Sequence, residues 1–136
     1  MAGPVHRFVD LTGASPRPQA PWPSIVVPGE QIAAEAARLA DSPAPANGRR
    51  ASAIAHPNAV APGLGFAPGI DVTINVVNPG ERTRNLRKNS NMVEICIAGA
   101  GVAEVAGRTM RIAEKDVWNT PSMQVHAYRN EGAVPW

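Results

Sequence analysis

The stretch GERTRNLRKNSNMVEICIAG, residues 80–99, decides how the rest of the chain is interpreted. An arginine-rich polar segment at 82–91 follows a glycine and precedes the alternating run MVEICIA at 92–98, which predicts a β-strand. The whole stretch contains no histidine. It therefore predicts a polar turn leading into a strand.

Short alternating runs continue on both sides of this stretch. Gly107 lies between two of them and predicts a tight hairpin in which a positive φ suits glycine. Short, closely spaced strands of this kind indicate an antiparallel sandwich or barrel. The predicted strands besides 92–98 lie at 71–77, 102–106, 108–112, 116–120 and 124–129.

One segment of the N-terminal part predicts a helix, at 29–41. Its residues Ile32, Ala36 and Leu39 recur at three-to-four spacing and would share one face. Ser42 and Pro43 end the pattern, since proline cannot continue a helix. The chain therefore combines one N-terminal α-helix with a mostly β remainder.

The residues around this helix predict an arm and a linker. We expect an extended arm with short strands at Arg7–Leu11 and 24–27, pinned to the body by Trp22. A proline-rich linker follows the helix. The predicted organisation is an arm, strand, helix and linker over 1–50 and a β-barrel over 51–136.

Composition narrows the classes of function. At 136 residues the chain fits one domain with one core. A net charge of +2 and no basic run interleaved with aromatics argue against nucleic-acid binding. Cys96 is the only cysteine, which favours a small core residue and a reducing compartment. With no signal-like or membrane-spanning apolar run, we expect a cytoplasmic protein without a membrane partner.

The stretch at 80–99 resembles the first motif of the cupin superfamily, whose members are double-stranded β-helix barrels. Gly80 and Gly99 stand at the two ends of that motif at the family's distance. The slots in which the family places two histidines and a glutamate hold other residues here, namely Leu86, Lys88 and Met92.

The stretch KDVWNTPSMQVHAYRN, residues 115–130, resembles the second cupin motif. Pro121, His126 and Asn130 stand at the family's spacing, while Lys115 and Met123 occupy its two glycine slots. The resemblance covers roughly 70–136, and the segments PAPANGRR and HPNAVAPGLGFAPGI look like the lead-in of the gentisate dioxygenase-like group. It implies a cupin-like double-stranded β-helix barrel.

The second motif is followed by only a short segment that ends at Trp136. We therefore expect a barrel that is incomplete at the C-terminus, or one completed by a partner or by the N-terminal arm. An unpaired sheet edge would favour a homodimer formed by strand pairing.

The resemblance implies an Fe(II) or other divalent metal cofactor, bound by the residues of the two motifs. Leucine has no donor atom, and the ammonium of Lys88 has no lone pair and repels a cation. Methionine suits softer metals. His126 remains as a single, weak metal ligand, so we expect a barrel without a cofactor. A site for Fe(II) or another divalent metal would need further donors from near the turn or from an earlier strand, namely Asn85, Asn89, Asn91, Glu94 or His56.

Other residues of the two motifs predict a ligand-binding cavity. Lys88 and Arg87 alternate and should point to opposite sides, which makes Lys88 the best candidate for a cation inside the cavity, suited to a carboxylate. The alternative is that RTRNLRK, residues 82–88, is a solvated turn whose charges face water. Tyr128 shares strand parity with His126, and Trp118 could form an aromatic wall. The predicted ligand is a small molecule of the aromatic carboxylate class, bound by His126, Lys88, Tyr128 and Trp118.

Three functions follow from these residues. The first is a small-molecule-binding or catalytically impaired cupin related to ring-cleaving dioxygenases. The second is an active, gentisate-type Fe(II) dioxygenase with unconventional ligands. The third is a structural or regulatory module that dimerises through an open sheet edge.

Overall fold

The structure is a computed structural model that describes residues 9–15 and 20–136. Over these residues it contains one helix and antiparallel strands only, as the sequence predicts. In chain order the elements are α1 (Gly29–Asp41), β1 (Arg50–Ile54), β2 (Val72–Val76), β3 (Met92–Ile95), β4 (Ala100–Val105), β5 (Arg108–Ala113), β6 (Val117–Thr120) and β7 (His126–Arg129).

Helix α1 packs on the β1–β2 ribbon. The apolar face that the sequence predicts is the face that packs, with Leu39 buried against Ile74 and Val76 and with Ile32 and Ala36 at its margin. The helix has one apolar stripe, and packing against the ribbon removes that stripe from water. The prediction of a helix at 29–41 is confirmed.

The second core lies between the remaining two sheets. The order β5–β4–β7 places β4 in the middle, where Ala103 is fully buried, and β3 pairs with β6. Cys96 is buried in the same cluster as Val105 and Ile112. The prediction that the cysteine is a small core residue is confirmed.

Strand alternation separates an inner and an outer face on the β3–β6 pair. Glu94 of β3 lies opposite Trp118 of β6, and both are partly buried toward the core. The neighbouring Ile95 and Val117 also lie opposite each other but are exposed. Because successive side chains of a strand point to opposite faces, the even-numbered residues of β3 and β6 form the inner wall.

Two features of the fold depend on glycine, the β4–β5 hairpin and the packing of the C-terminal tail. Gly107 joins β4 to β5 with a φ of 77°, so the predicted positive φ is confirmed. At the other end of β4, Gly101 lies against the indole of Trp136, and a Cβ at Gly101 would lie 1.9 Å from Cε3 of that ring. Trp136 is held there by two backbone hydrogen bonds with Val77.

The predicted strands of the arm are not found. Residues 24–27 form no strand. Proline at 23 and at 28 removes backbone donors on both sides, and none of the described strands pairs with them. The predicted strand at Arg7–Leu11 begins outside the described residues, and its described part, 9–11, is not a strand. Trp22 does contact the body, where it stacks on His56 with ring centroids 4.8 Å apart.

Within 9–15 and 20–136, no helix has the length and apolarity that crossing a membrane requires.

Candidate ligand-binding site

The two predicted motifs lie side by side in the structure. The backbone N–H of Leu86 donates to the carbonyl of His126, and the N–H of His126 donates back to Leu86, both at 2.9 Å. Two residues further on, the carbonyl of Lys88 accepts the N–H of Met123 at 2.7 Å. The segment 86–88 therefore runs antiparallel to 123–126.

A carboxylate lies at the centre of the inner wall. Oε1 of Glu94 accepts the phenol of Tyr128 at 2.5 Å, and Oε2 accepts the hydroxyl of Thr120 at 2.7 Å. Burial, and then the carboxylate of Glu94, raises the pKa of Tyr128 above its ordinary value. The phenol therefore stays in its neutral, donating form to a pH above its ordinary pKa of 10.0.

The imidazole of His126 is buried beside Tyr128, with 2% of the residue exposed and ring centroids 5.7 Å apart. Its Nδ1 lies 3.1 Å from the carbonyl of Gln124. A carbonyl can only accept, so in this contact Nδ1 carries the proton. In the neutral ring, Nε2 is then left as an acceptor.

Aromatic rings form the deeper part of the wall. Trp118 meets Tyr128 edge to face with ring centroids 6.4 Å apart, and Trp136 lies 6.1 Å from Trp118 and 5.9 Å from Tyr128. The buried indole N–H of Trp118 has no hydrogen-bond partner among the described residues. This wall therefore offers an aromatic surface and an unused donor.

Lys88 lies at the end of this wall nearest the turn. Its side chain is half-buried, while that of Arg87 is exposed. Burial lowers the pKa of Lys88, the nearby Arg49 lowers it further, and the carboxylates of Glu94 and Asp71 partly oppose both effects. An ammonium that is partly stripped of water gains from an added carboxylate.

The donor atoms of this wall do not fit the divalent metal that the family resemblance implies. Leu86, Lys88 and Met92 supply neither imidazole nor carboxylate, and both oxygens of Glu94 already accept hydrogen bonds. Across the described part of the chain, no three residues among His, Cys, Asp and Glu come together.

His56 is engaged elsewhere. Its Nε2 lies 2.9 Å from the carbonyl of Pro23, and its Nδ1 accepts the backbone N–H of Asn58 at 2.9 Å. The two ring nitrogens therefore have partners in the arm and in the lead-in loop, and the ring stacks on Trp22 rather than joining the wall.

The structure brings three of the four predicted site residues into ring contact, His126, Tyr128 and Trp118, and it places Lys88 at their margin. The sequence singled out Glu94 only as a substitute metal ligand, not as a residue of the ligand cavity, and it did not single out Thr120. The signal for Glu94 was its strand parity with Met92, which puts its side chain on the inner face. Nothing in the sequence marked Thr120, because its role depends on the register of β6 against β3.

Two surface depressions lie away from the wall. One of about 360 Å³ is lined by β4, β5 and the 131–132 segment, and one of about 650 Å³ lies beside Trp22 and Asp71. Neither includes a residue of the wall.

Comparisons with known proteins identify the fold. The salicylate 1,2-dioxygenase of Pseudoaminobacter salicylatoxidans, solved as adducts with gentisate, superimposes with a TM-score of 0.62 over 79% of this chain and 29% of that chain, at 21% identity. The chain has a cupin fold. At this identity the superposition establishes the shape of the cupin barrel and not its chemistry.

A second likeness, found in sequence, is to another 1,2-dioxygenase. The chain is 30% identical over 70 residues to a 5-nitrosalicylic acid 1,2-dioxygenase of Bradyrhizobium sp, which is 52% of this chain and 34% of that protein. This chain thus spans about a third of the length of that curated relative. No protein-family model matches the chain. The resemblance to ring-cleaving dioxygenases of the cupin fold is supported.

Proposed function

We propose that this chain is a small-molecule-binding cupin, related to ring-cleaving dioxygenases but impaired in their catalysis. The observation that carries the proposal is the half-buried Lys88, a cation that occupies one of the slots where the resemblance expects a histidine. A cation at that position disfavours a metal ion and favours an anion.

The ligand class that suits this wall is a hydroxylated aromatic carboxylate. Lys88 would pair with the carboxylate, and the free Nε2 of His126 would accept a ligand hydroxyl. The ring of Trp118 would meet the ligand's aromatic face. The named substrates and ligands of the two relatives, 5-nitrosalicylic acid, salicylate and gentisate, belong to this class.

A metal-dependent ring-cleaving dioxygenase is the second candidate. The observation that favours it is the sequence match to the Bradyrhizobium dioxygenase. Such an activity would need Fe(II) held by His126 together with unconventional donors such as Glu94. Glu94 could take that part only if Tyr128 and Thr120 released its oxygens.

Calorimetric titration with salicylate in the presence of a chelator tests the first candidate. We expect binding without metal, and we expect a rise in melting temperature, because a ligand of the folded state alone stabilises it. Lys88→Met should weaken binding by about tenfold or more, since it removes the pairing charge. Arg87→Met, the exposed neighbour, is the matched control and should bind as the parent does.

The outcomes separate the two candidates. Equal affinity in Lys88→Met and the parent, or no binding by the folded parent, would contradict the binding proposal. Ring cleavage and stoichiometric metal after anaerobic reconstitution with Fe(II), both lost in His126→Ala, would establish the second candidate instead.

A further inference from the structure

The outer face of the β3–β6 pair carries a continuous apolar patch. We define this outer patch as Val93, Ile95, Ile97 and Val117, which are 76%, 60%, 59% and 61% exposed. Ile95 and Val117 are direct partners across the two strands, so the four side chains adjoin each other. Together they expose roughly 400 Å² of apolar surface, the size at which exposed patches are often functional.

This patch has no charge within it. The residues that extend its rows along the two strands are Asn91 and Asn119, both polar and neutral. Charged residues border the patch at its Ile97 end, where Lys115 and Asp116 directly precede β6. A surface that is apolar and uncharged can meet its own copy without like-charge repulsion.

We propose that the outer patch is the interface between two copies of this chain. In a two-fold dimer the same patch serves both partners, and two such faces pack with their sheets about 10 Å apart. The four side chains supply about half of the roughly 800 Å² per partner of a standard interface. The dimer is therefore weak and depends on concentration.

This interface differs from the edge-to-edge pairing that the sequence alone suggests. Edge pairing extends a sheet through its backbone groups and leaves the outer patch exposed. Face packing buries the patch and leaves the backbone edges free. A charge at the centre of the patch separates the two arrangements, because it lies inside one interface and outside the other.

Sedimentation equilibrium of the full chain over the micromolar to millimolar range tests the proposal. We expect the average mass to rise from 14.3 kDa toward twice that value as concentration increases. Ile95→Glu should hold the mass at that of the monomer throughout. Val60→Glu, at an apolar residue 81% exposed on the lead-in loop, is the matched control and should dimerise as the parent does.

Val93→Lys is a second variant at the most exposed residue of the patch, and it should give the same loss if Ile95→Glu fails to fold. A parent that stays monomeric throughout would overturn the proposal. So would a dimer that survives in folded Ile95→Glu and Val93→Lys, which would assign the contact to a sheet edge.

Discussion

The phenol of Tyr128 donates a 2.5 Å hydrogen bond to Oε1 of Glu94 and thereby joins β7 to β3 across the interior of the barrel. The hydroxyl of Thr120 donates to the other oxygen of the same carboxylate. The first motif region, 80–99, is therefore linked through Glu94 to the second, 115–130, through Tyr128. A carboxylate held in this way is a structural link of the wall, and its strength is measurable through the titration of Tyr128.

Tyr128 should remain protonated in the folded protein well above its ordinary pKa of 10.0, because burial and Glu94 disfavour the phenolate. It is the only tyrosine, so tyrosinate absorbance reports this residue alone. We expect no tyrosinate signal near pH 10 in the folded state and a normal one in urea. Since the folded pKa is raised, its stabilisation is complete below pH 10 and declines as pH rises further.

Two variants extend this measurement. Glu94→Gln should bring the pKa of Tyr128 part of the way back, because burial remains its largest cause. Tyr128→Phe should cost about 1–3 kcal/mol at neutral pH by leaving Oε1 of Glu94 without this donor. Tyrosinate that forms near pH 10 in the folded parent would contradict the predicted shift.

The pair of Arg50 and Glu81 predicts an acid-sensitive link at the end of α1. Arg50 is 5% exposed and donates to Glu81 and to the carbonyl of Ser42, which follows the helix. The hydrogen bond from Arg50 lowers the pKa of Glu81 below its ordinary value of 4.5. Its stabilisation is therefore present above pH 4.5 and is lost as pH falls through the lowered pKa.

Glu81→Gln should reduce the free energy of unfolding by about 1–3 kcal/mol at pH 7, because the acceptor of the hydrogen bond from Arg50 loses its negative charge. In urea titrations, the difference from the parent should shrink below pH 4.5 as the parent's carboxylate is neutralised. Glu114→Gln, at an exposed carboxylate 3.9 Å from Lys115, is the control and should unfold as the parent does. A difference that stays constant with pH would contradict the assignment.

Gly101 and Trp136 form a second measurable contact. A Cβ at Gly101 would lie 1.9 Å from the indole, so Gly101→Ala must displace the ring. We expect a cost of about 1–3 kcal/mol, typical of overpacking in a core. The same change should cost much less in a Trp136→Ala background, where the ring is gone. Equal costs in the two backgrounds, measured by urea unfolding, would show that the contact is not the cause.

Local patterns predicted the parts of the fold that local rules decide. The spacing of Ile32, Ala36 and Leu39 located the helix and its packed face, and Gly107 located a hairpin that needs a positive φ. The spacing of the two motifs indicated the cupin fold. Each of these features depends on the identity and spacing of residues within a single segment of the chain.

The parts that the sequence did not predict depend on distant contacts. Thr120 reaches Glu94 only through the register of β6 against β3, and Gly101 has a role only because Trp136 returns to it. The run at 24–27 has strand propensity, but propensity cannot provide a partner strand. Strand parity could predict the inner position of Glu94, but it could not predict that Tyr128 and Thr120 donate hydrogen bonds to it.

Histidines introduced at positions 86 and 88 test whether these positions correspond to the two histidine positions of the first cupin motif. Leu86 lies antiparallel to His126 through two backbone hydrogen bonds, and Lys88 is two residues further along the same segment. Histidines at 86 and 88 would therefore share one face and lie beside the imidazole that is already present. We expect Leu86→His with Lys88→His to raise Ni(II) or Fe(II) affinity at least about tenfold above the parent.

Calorimetric titration with Ni(II) measures this gain, with circular dichroism as the check that each variant is folded. The matched control is Arg87→His with Asn89→His, which adds the same two imidazoles at exposed positions of the opposite parity. The control should gain little, and adding His126→Ala to the restored variant should remove most of its gain. Unchanged affinity in the folded Leu86→His, Lys88→His variant would mean that positions 86 and 88 are not the family's ligand slots.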